Sequence, residues 1–150
     1  MASTKKESLA PFQSLLEDLL TATGATRTTL RRESQGAVFP VVAEALAPGA
    51  RSISRDDSID IRAAPTFRFL EEKDEILVQE DCVAGEHAPP PELLELYGVR
   101  AQMLAPIKRD GALIAIISVH YAPGPRPWTD DDVAALRRTR EAVAQLLDKR

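Results

Sequence analysis

The stretch Tyr97-Gly-Val-Arg-Ala-Gln-Met-Leu-Ala-Pro-Ile-Lys-Arg-Asp-Gly-Ala-Leu-Ile-Ala-Ile-Ile-Ser-Val-His-Tyr121 decides how the chain folds. Two apolar runs, 99–107 and 112–121, flank Lys108-Arg109-Asp110-Gly111, and Asp-Gly between such runs signals a β-hairpin. The unbroken apolar character of Leu113-Ile-Ala-Ile-Ile117 predicts a strand covered on both faces, hence central in its sheet. Two loops are open to this hairpin. With Asp110-Gly111 as the loop, Gln102 stands opposite Val119 and Ala101 opposite His120. With Arg109-Asp110-Gly111 as the loop and Gly111 in the left-handed bulge position, Gln102 stands opposite Ser118, Leu104 opposite Ile116, and Arg100 near His120. One residue of register exchanges the faces of a strand. The longer loop is preferred because it sets Ala101, Met103 and Ala105 against Val119, Ile117 and Ala115 on one apolar face. It also gathers Arg100, Gln102, Ser118 and His120 on the other face, inside the fold. An unpaired buried polar group costs about 1–3 kcal/mol, so these residues require backbone partners, solvent at the sheet's end, or a ligand.

Working outward, residues 9–20 carry Leu9, Phe12, Leu15, Leu16, Leu19 and Leu20 at helical spacing, with Ser8 as cap, Pro11 in the first turn and Gly24 as stop. Residues 1–7 are expected to be frayed or disordered, leaving 8–150 as a single domain. Strands over 26–33 and 38–46 form a second hairpin around Ser34-Gln35-Gly36, and Pro40 places the latter strand at an edge or a bulge. A polar, turn-rich loop spans 48–60. A short helix follows Pro65 with Phe67 and Leu70 on one side; a strand is expected over 75–80. Residues 91–97 make two helical turns stopped by Gly98. Thr129 caps a last helix whose first turn holds Asp130, Asp131 and Asp132, matching the positive end of the helix dipole.

These segments resemble a GAF domain. Residues 97–111 look like the penultimate hairpin strand and turn of that family, 112–121 like the following strand, and Pro127-Trp-Thr-Asp-Asp-Asp132 like its closing helix start. Ile76-Leu-Val-Gln-Glu-Asp81 extends the likeness over nearly the whole chain, with Ala115 standing where many members have glycine. The resemblance implies an α+β, PAS-related fold: an antiparallel sheet of about five to six strands, with the first and last helices on one face. Short helices and loops would enclose a small-molecule pocket on the other. In the bilin-binding branch, polar residues of this hairpin contact the chromophore, and by position these are Gln102, Leu104 and His120. Phe67, Val78, Glu80, Cys82 and Tyr97 are expected to line the pocket too.

Other family activities are tested by residue type. Covalent bilin attachment needs a cysteine before a histidine in the covering helix; 91–98 has neither, so no covalent bilin is expected, and no other cofactor. A single cysteine, Cys82, cannot run the disulfide cycle of the family's methionine sulfoxide reductases, nor supply a multi-cysteine metal site. Iron or iron–sulfur sensing would need more ligands, so no metal is expected. The cyclic-nucleotide signature is not recognisable. Glu80 and Asp81 should raise the Cys82 thiol pKa rather than activate it. His87 reads as a solvated loop residue.

The net charge of −4 argues against general nucleic-acid binding, no apolar run is long enough to span a membrane, and the polar start lacks a secretory segment, so a cytoplasmic setting is expected. Three functions follow. The first is a sensor or carrier of a small polar or anionic metabolite bound by Arg100, Gln102, Ser118 and His120. Its output would be intermolecular, to a partner protein or across a homodimer through the terminal helices. The second is an enzyme using His120 as acid or base. The third is an interaction module whose pocket is filled by its own side chains. Aromatic residues make up only 5% of the chain, which favours a cavity over a plugged core.

Overall fold

The computed structural model describes residues 2–34, 39–54, 56, 59 and 61–148. Its organising element is the hairpin of β4 (Ala101–Arg109) and β5 (Ala112–Tyr121). The loop is the shorter of the two considered: Arg109 pairs with Ala112, and both Asp110 (φ 53°) and Gly111 (φ 81°) take the left-handed conformation of a two-residue turn. The ladder then slips by one residue, Ile107 pairing with Ala115, so Ile114 is the extra residue of a β-bulge. This corrects the partners expected from sequence. Gln102 faces His120 rather than Ser118, Leu104 faces Ser118 rather than Ile116, and Arg100 lies just before the strand. The bulge moves parity back by one residue, so the polar and apolar faces separate as expected although the loop is different.

Strands β1 (Arg27–Arg32), β2 (Val41–Leu46) and β3 (Leu77–Gln79) complete a five-stranded antiparallel sheet in the order β2-β1-β5-β4-β3. With helices α1 (Ala2–Thr23), α2 (Pro65–Glu72), α3 (Pro91–Tyr97) and α4 (Asp130–Asp148), the fold is α+β. Strand β5 is central, as its apolar run requires. Strand β2 is an edge and carries a bulge at Val42, next to Pro40, whose carbonyl accepts from the Arg32 amide at 3.2 Å. The turn expected at 34–36 lies partly outside the described residues.

One sheet face is covered by α1 and α4. Phe12, Leu16 and Leu19 of α1 and Leu136, Val143 and Leu147 of α4 form one cluster with Ala101, Met103, Ala105, Ile117 and Val119. The alanines allow close approach of the helices. Helix α1 begins at Ala2, so residues 2–7 continue it, and Pro11 falls inside it rather than in its first turn. Helix α4 starts with a reciprocal cap: the Asp132 amide donates to Thr129 Oγ1 at 3.1 Å and the Thr129 amide to Asp132 Oδ2 at 3.0 Å. On the opposite face lie α2, a single 3-10 turn at Ile61–Ala63, and α3, which Gly98 ends in the left-handed conformation (φ 64°).

Candidate ligand site

Strand register arranges the second face in rows across the sheet. The first reads Arg27, His120, Gln102, Gln79; the second Thr29, Ser118, Leu104, Leu77; the third Arg31, Ile116, Pro106. Beneath α2 and α3 these rows leave a cavity of about 30 Å3. Its polar lining is Arg31, Thr66, Gln102, Ser118 and His120, with Phe67, Leu70 and Leu93 above and Leu104 and Ile116 below. That space holds about two water molecules.

The first row is a hydrogen-bonded chain with one gap. The Arg27 guanidinium, 2% exposed, donates to the Arg51 carbonyl at 3.0 and 2.6 Å and lies 3.9 Å from Glu44. It also reaches His120 Nδ1 at 3.1 Å. A guanidinium only donates, so Nδ1 accepts and the imidazole proton sits on Nε2. Burial, then Arg27 and Arg31, hold the His120 pKa well below the ordinary imidazole range, so the ring is neutral. At the other end, Gln102 Nε2 donates to Gln79 Oε1 at 2.7 Å, and Gln79 Nε2 donates to the His87 carbonyl. That sequence of donors turns Gln102 Oε1 away from Gln79, and this buried oxygen has no partner among the described residues. Between His120 and Gln102 the chain stops.

The second row adds Thr29 Oγ1, likewise buried without a partner. In the third, Arg31 is 8% exposed and donates to the Phe39 carbonyl at 2.8 Å. Among the described residues no carboxylate lies within 4.0 Å of it. Burial lowers its pKa to about 10, which leaves it charged at neutral pH.

Of the residues singled out from sequence, Phe67, Gln102, Leu104, Ser118 and His120 line this cavity. The others do not. Val78 is opposite Met103, so it points to the other face and is 41% exposed. Glu80, one residue past β3, is exposed, and its carbonyl accepts from the Arg126 amide. Arg100 turns to the rim beside Asp81, at 3.8 Å. Cys82 is packed in a separate apolar cluster with Ile53, Ile59, Leu93 and Val99, and burial, then Asp81, pushes its thiol pKa up to about 12. Tyr97 closes the end of the first row from above, with Arg27 and Arg51 5.4 and 5.1 Å from its ring centre. Its hydroxyl donates to Asp56, which raises the phenol pKa. Sequence reasoning missed Arg27, Thr29, Arg31 and Thr66. The two-residue spacing of Arg27, Thr29 and Arg31 would have placed them on one face had β1 been recognised as the neighbour of β5.

The GAF domain family model matches residues 9–147. The chain belongs to the GAF domain family. Solved structures agree: the blue-light absorbing form of the Thermosynechococcus elongatus PixJ GAF domain superposes with a TM-score of 0.74 at 23% identity, covering 97% of this chain and 86% of that one. The green light-absorbing state of NpR6012g4, a red/green cyanobacteriochrome, gives 0.75 at 18% identity, covering 95% of each chain. The far-red absorbing dark state of JSC1_58120g3 with bound biliverdin IXa gives 0.67 at 18%, covering 90% of this chain and 88% of that one. At these identities the likeness carries the fold. No curated protein matches the chain.

The expectation that a GAF domain of this sequence takes no bilin is overturned by these neighbours, one of which holds biliverdin. A missing cysteine bears on covalent attachment alone; a tetrapyrrole held by hydrogen bonds needs no thioether. The donors here, Arg31, Ser118 and His120 Nε2, are of the kind that a tetrapyrrole's carbonyl and carboxylate oxygens accept from. The cavity of about 30 Å3 is far smaller than a tetrapyrrole.

Proposed function

We propose that this GAF domain is a sensor that binds a small polar or anionic molecule on the β1–β5–β4 face beneath α2 and α3. The observation that carries this reading is the gap in the first row. His120, with Nε2 as its donor, and Gln102, whose Oε1 is orphaned, line one cavity beside a buried guanidinium that has no carboxylate within 4.0 Å among the described residues. Leaving such groups unpaired is costly, and a ligand relieves the cost. Arg31, Gln102, Ser118 and His120 are its polar contacts, with Leu104 and Phe67 enclosing it. Output passes to a partner protein or across a homodimer through α1 and α4, in a cytoplasmic setting. Among the described residues no helix is long and apolar enough to cross a membrane. An acid–base role for His120 gains no support: the ring is held neutral, and the other titratable group lining the cavity is Arg31.

The test is a thermal-shift screen against metabolites, nucleotides, inorganic anions and biliverdin, with His120→Ala alongside. A ligand at a hundred times its Kd adds about 2.7 kcal/mol of stability. A shift that His120→Ala abolishes supports the reading. If no compound moves the melting point, or every shift survives in His120→Ala, the reading is wrong.

A further inference from the structure

We propose that residues 51–54 are a latch beside the ligand site, and that Arg27 couples this latch to whatever His120 meets in the cavity. This rests on the sensor reading above and names how that site is regulated. The latch ties the sheet to α3. From the sheet, Glu44 of β2 accepts from the Ser52 hydroxyl and from the Ile53 amide, the latter at 2.8 Å. Arg27 of β1 donates to the Arg51 carbonyl at 3.0 and 2.6 Å. Toward α3, Arg51 Nη1 donates to the Leu96 carbonyl at 2.7 Å, in the last turn of that helix. Ile53, 1% exposed, packs with Leu93 and Val99, and Leu93 in turn lines the cavity. Helix α3 has only 7 residues, too few to be stable alone, so its place over the sheet depends on such ties.

The coupling lies in Arg27. The guanidinium that clamps the Arg51 carbonyl with Nε and Nη2 reaches His120 Nδ1 with Nη1. Its donors form one rigid plane, so losing the Nη1 contact loosens the aim of the other two. His120 lines the cavity, and among the described residues its Nε2–H has no partner. A ligand oxygen accepting there keeps the proton on Nε2 and makes Nδ1 a better acceptor, which tightens Arg27 on the latch. A ligand N–H aimed at Nε2 requires the other tautomer. Nδ1 then carries its hydrogen toward an Arg27 N–H, donor against donor, and the clamp opens. Carboxylate and phosphoryl oxygens therefore close the latch and amines release it. By reciprocity, a ligand that closes the latch is bound more tightly by the latched protein.

The experiment is native-state hydrogen exchange by nuclear magnetic resonance on the whole chain without ligand. It reads the Ile53 amide and the Val99 amide, which donates to the Leu93 carbonyl at 3.1 Å, relative to the core amides of Ile117 and Val143. His120 makes no hydrogen bond to residues 51–54 among the described residues. His120→Ala should nevertheless speed Ile53 exchange about five- to tenfold, the effect of one hydrogen bond. His120→Asn keeps an acceptor at the Nδ1 position and should stay within about twofold of the parent. In an Arg27→Met background the latch is already loose, so adding His120→Ala should change the Ile53 rate by under about twofold. Glu44→Gln leaves His120 and Arg27 in place and should speed both Ile53 and Val99. Parent-like Ile53 exchange in His120→Ala overturns the proposal, as does equal speeding in His120→Asn, or a His120→Ala effect that persists in full with Arg27→Met. A Val99 rate unmoved by Glu44→Gln overturns the tie to α3. If a compound binds through His120 while Ile53 ignores His120→Ala, this proposal fails and the sensor reading stands. If the exchange pattern holds and no compound shifts the melting point, the sensor reading fails and the coupling remains.

Discussion

The two faces of the sheet are made by alternate residues of the same strands, yet they are built on opposite principles. Toward α1 and α4, strands β4 and β5 present Ala101, Met103, Ala105, Ala115, Ile117 and Val119, which bury apolar surface and demand nothing else. Toward α2 and α3, the same two strands present Gln102, Ser118 and His120, and β1 adds Arg27, Thr29 and Arg31. All six of these polar residues are buried. The first face supplies stability through contact area. The second gives some of that stability up for directed donors and acceptors, two of which are orphaned. A local departure from an apolar interior is where a binding site is expected.

Four perturbations would break or sharpen this contrast. The largest effect belongs to the helix-side face. Leu136 is fully buried against that face, and Leu136→Ala should cost about 2–5 kcal/mol in urea unfolding while leaving ligand response unchanged at temperatures below melting. A loss under 1 kcal/mol would mean that this face is not the stabilising one.

Next comes Arg27→Met. It strips donors from the Arg51 carbonyl and His120 Nδ1 and leaves Glu44 without its ion pair, though Ser52 and the Ile53 amide still hold that carboxylate. The cost should be about 1–3 kcal/mol, and nuclear magnetic resonance should report that the fixed His120 tautomer is lost. An unchanged tautomer would show that Arg27 does not orient the ring.

A third effect is set by pH. Because the folded protein keeps His120 neutral far below the ordinary imidazole range, the unfolded chain takes up a proton first as pH falls. Stability from this residue is complete above about pH 6.5 and declines by about 1.4 kcal/mol per pH unit below it, until the folded pKa is reached. His120→Gln should remove that component from the slope of stability against pH. An unaltered slope would place the titration elsewhere.

The smallest effect tests the face assignment itself. Val78 is exposed and points away from the cavity, so Val78→Ser should change stability by under about 0.5 kcal/mol and leave binding intact. A weakened ligand response would return Val78 to the pocket.

Much of the architecture was legible. The unbroken apolar run 113–117 implied a central strand, and β5 lies between β1 and β4. Gly98 and Thr129 marked helix boundaries through backbone conformation and capping, both of which are local properties. The site was legible only in part. Gln102, Ser118 and His120 could be assigned to one face because they sit on a hairpin whose two strands are adjacent in sequence. Val78 and Glu80 were misplaced because a three-residue edge strand gives too short an alternation to fix its phase, and Cys82 because its neighbours come from three separate segments.

What the sequence determined by itself is whatever depends on near neighbours along the chain: that a turn falls around Asp110-Gly111, though not its length, the helix caps, and the alternation that sorts polar from apolar on each strand. What only the tertiary structure decided is how separate strands line up. The Ile114 bulge brings His120 opposite Gln102, and the docking of β1 on β5 sets Arg27 against His120 and Arg31 over the same cavity. Those juxtapositions join residues up to 93 positions apart, so no local propensity encodes them. They follow from burying one face of the sheet under α1 and α4, which leaves the opposite face to carry the charge.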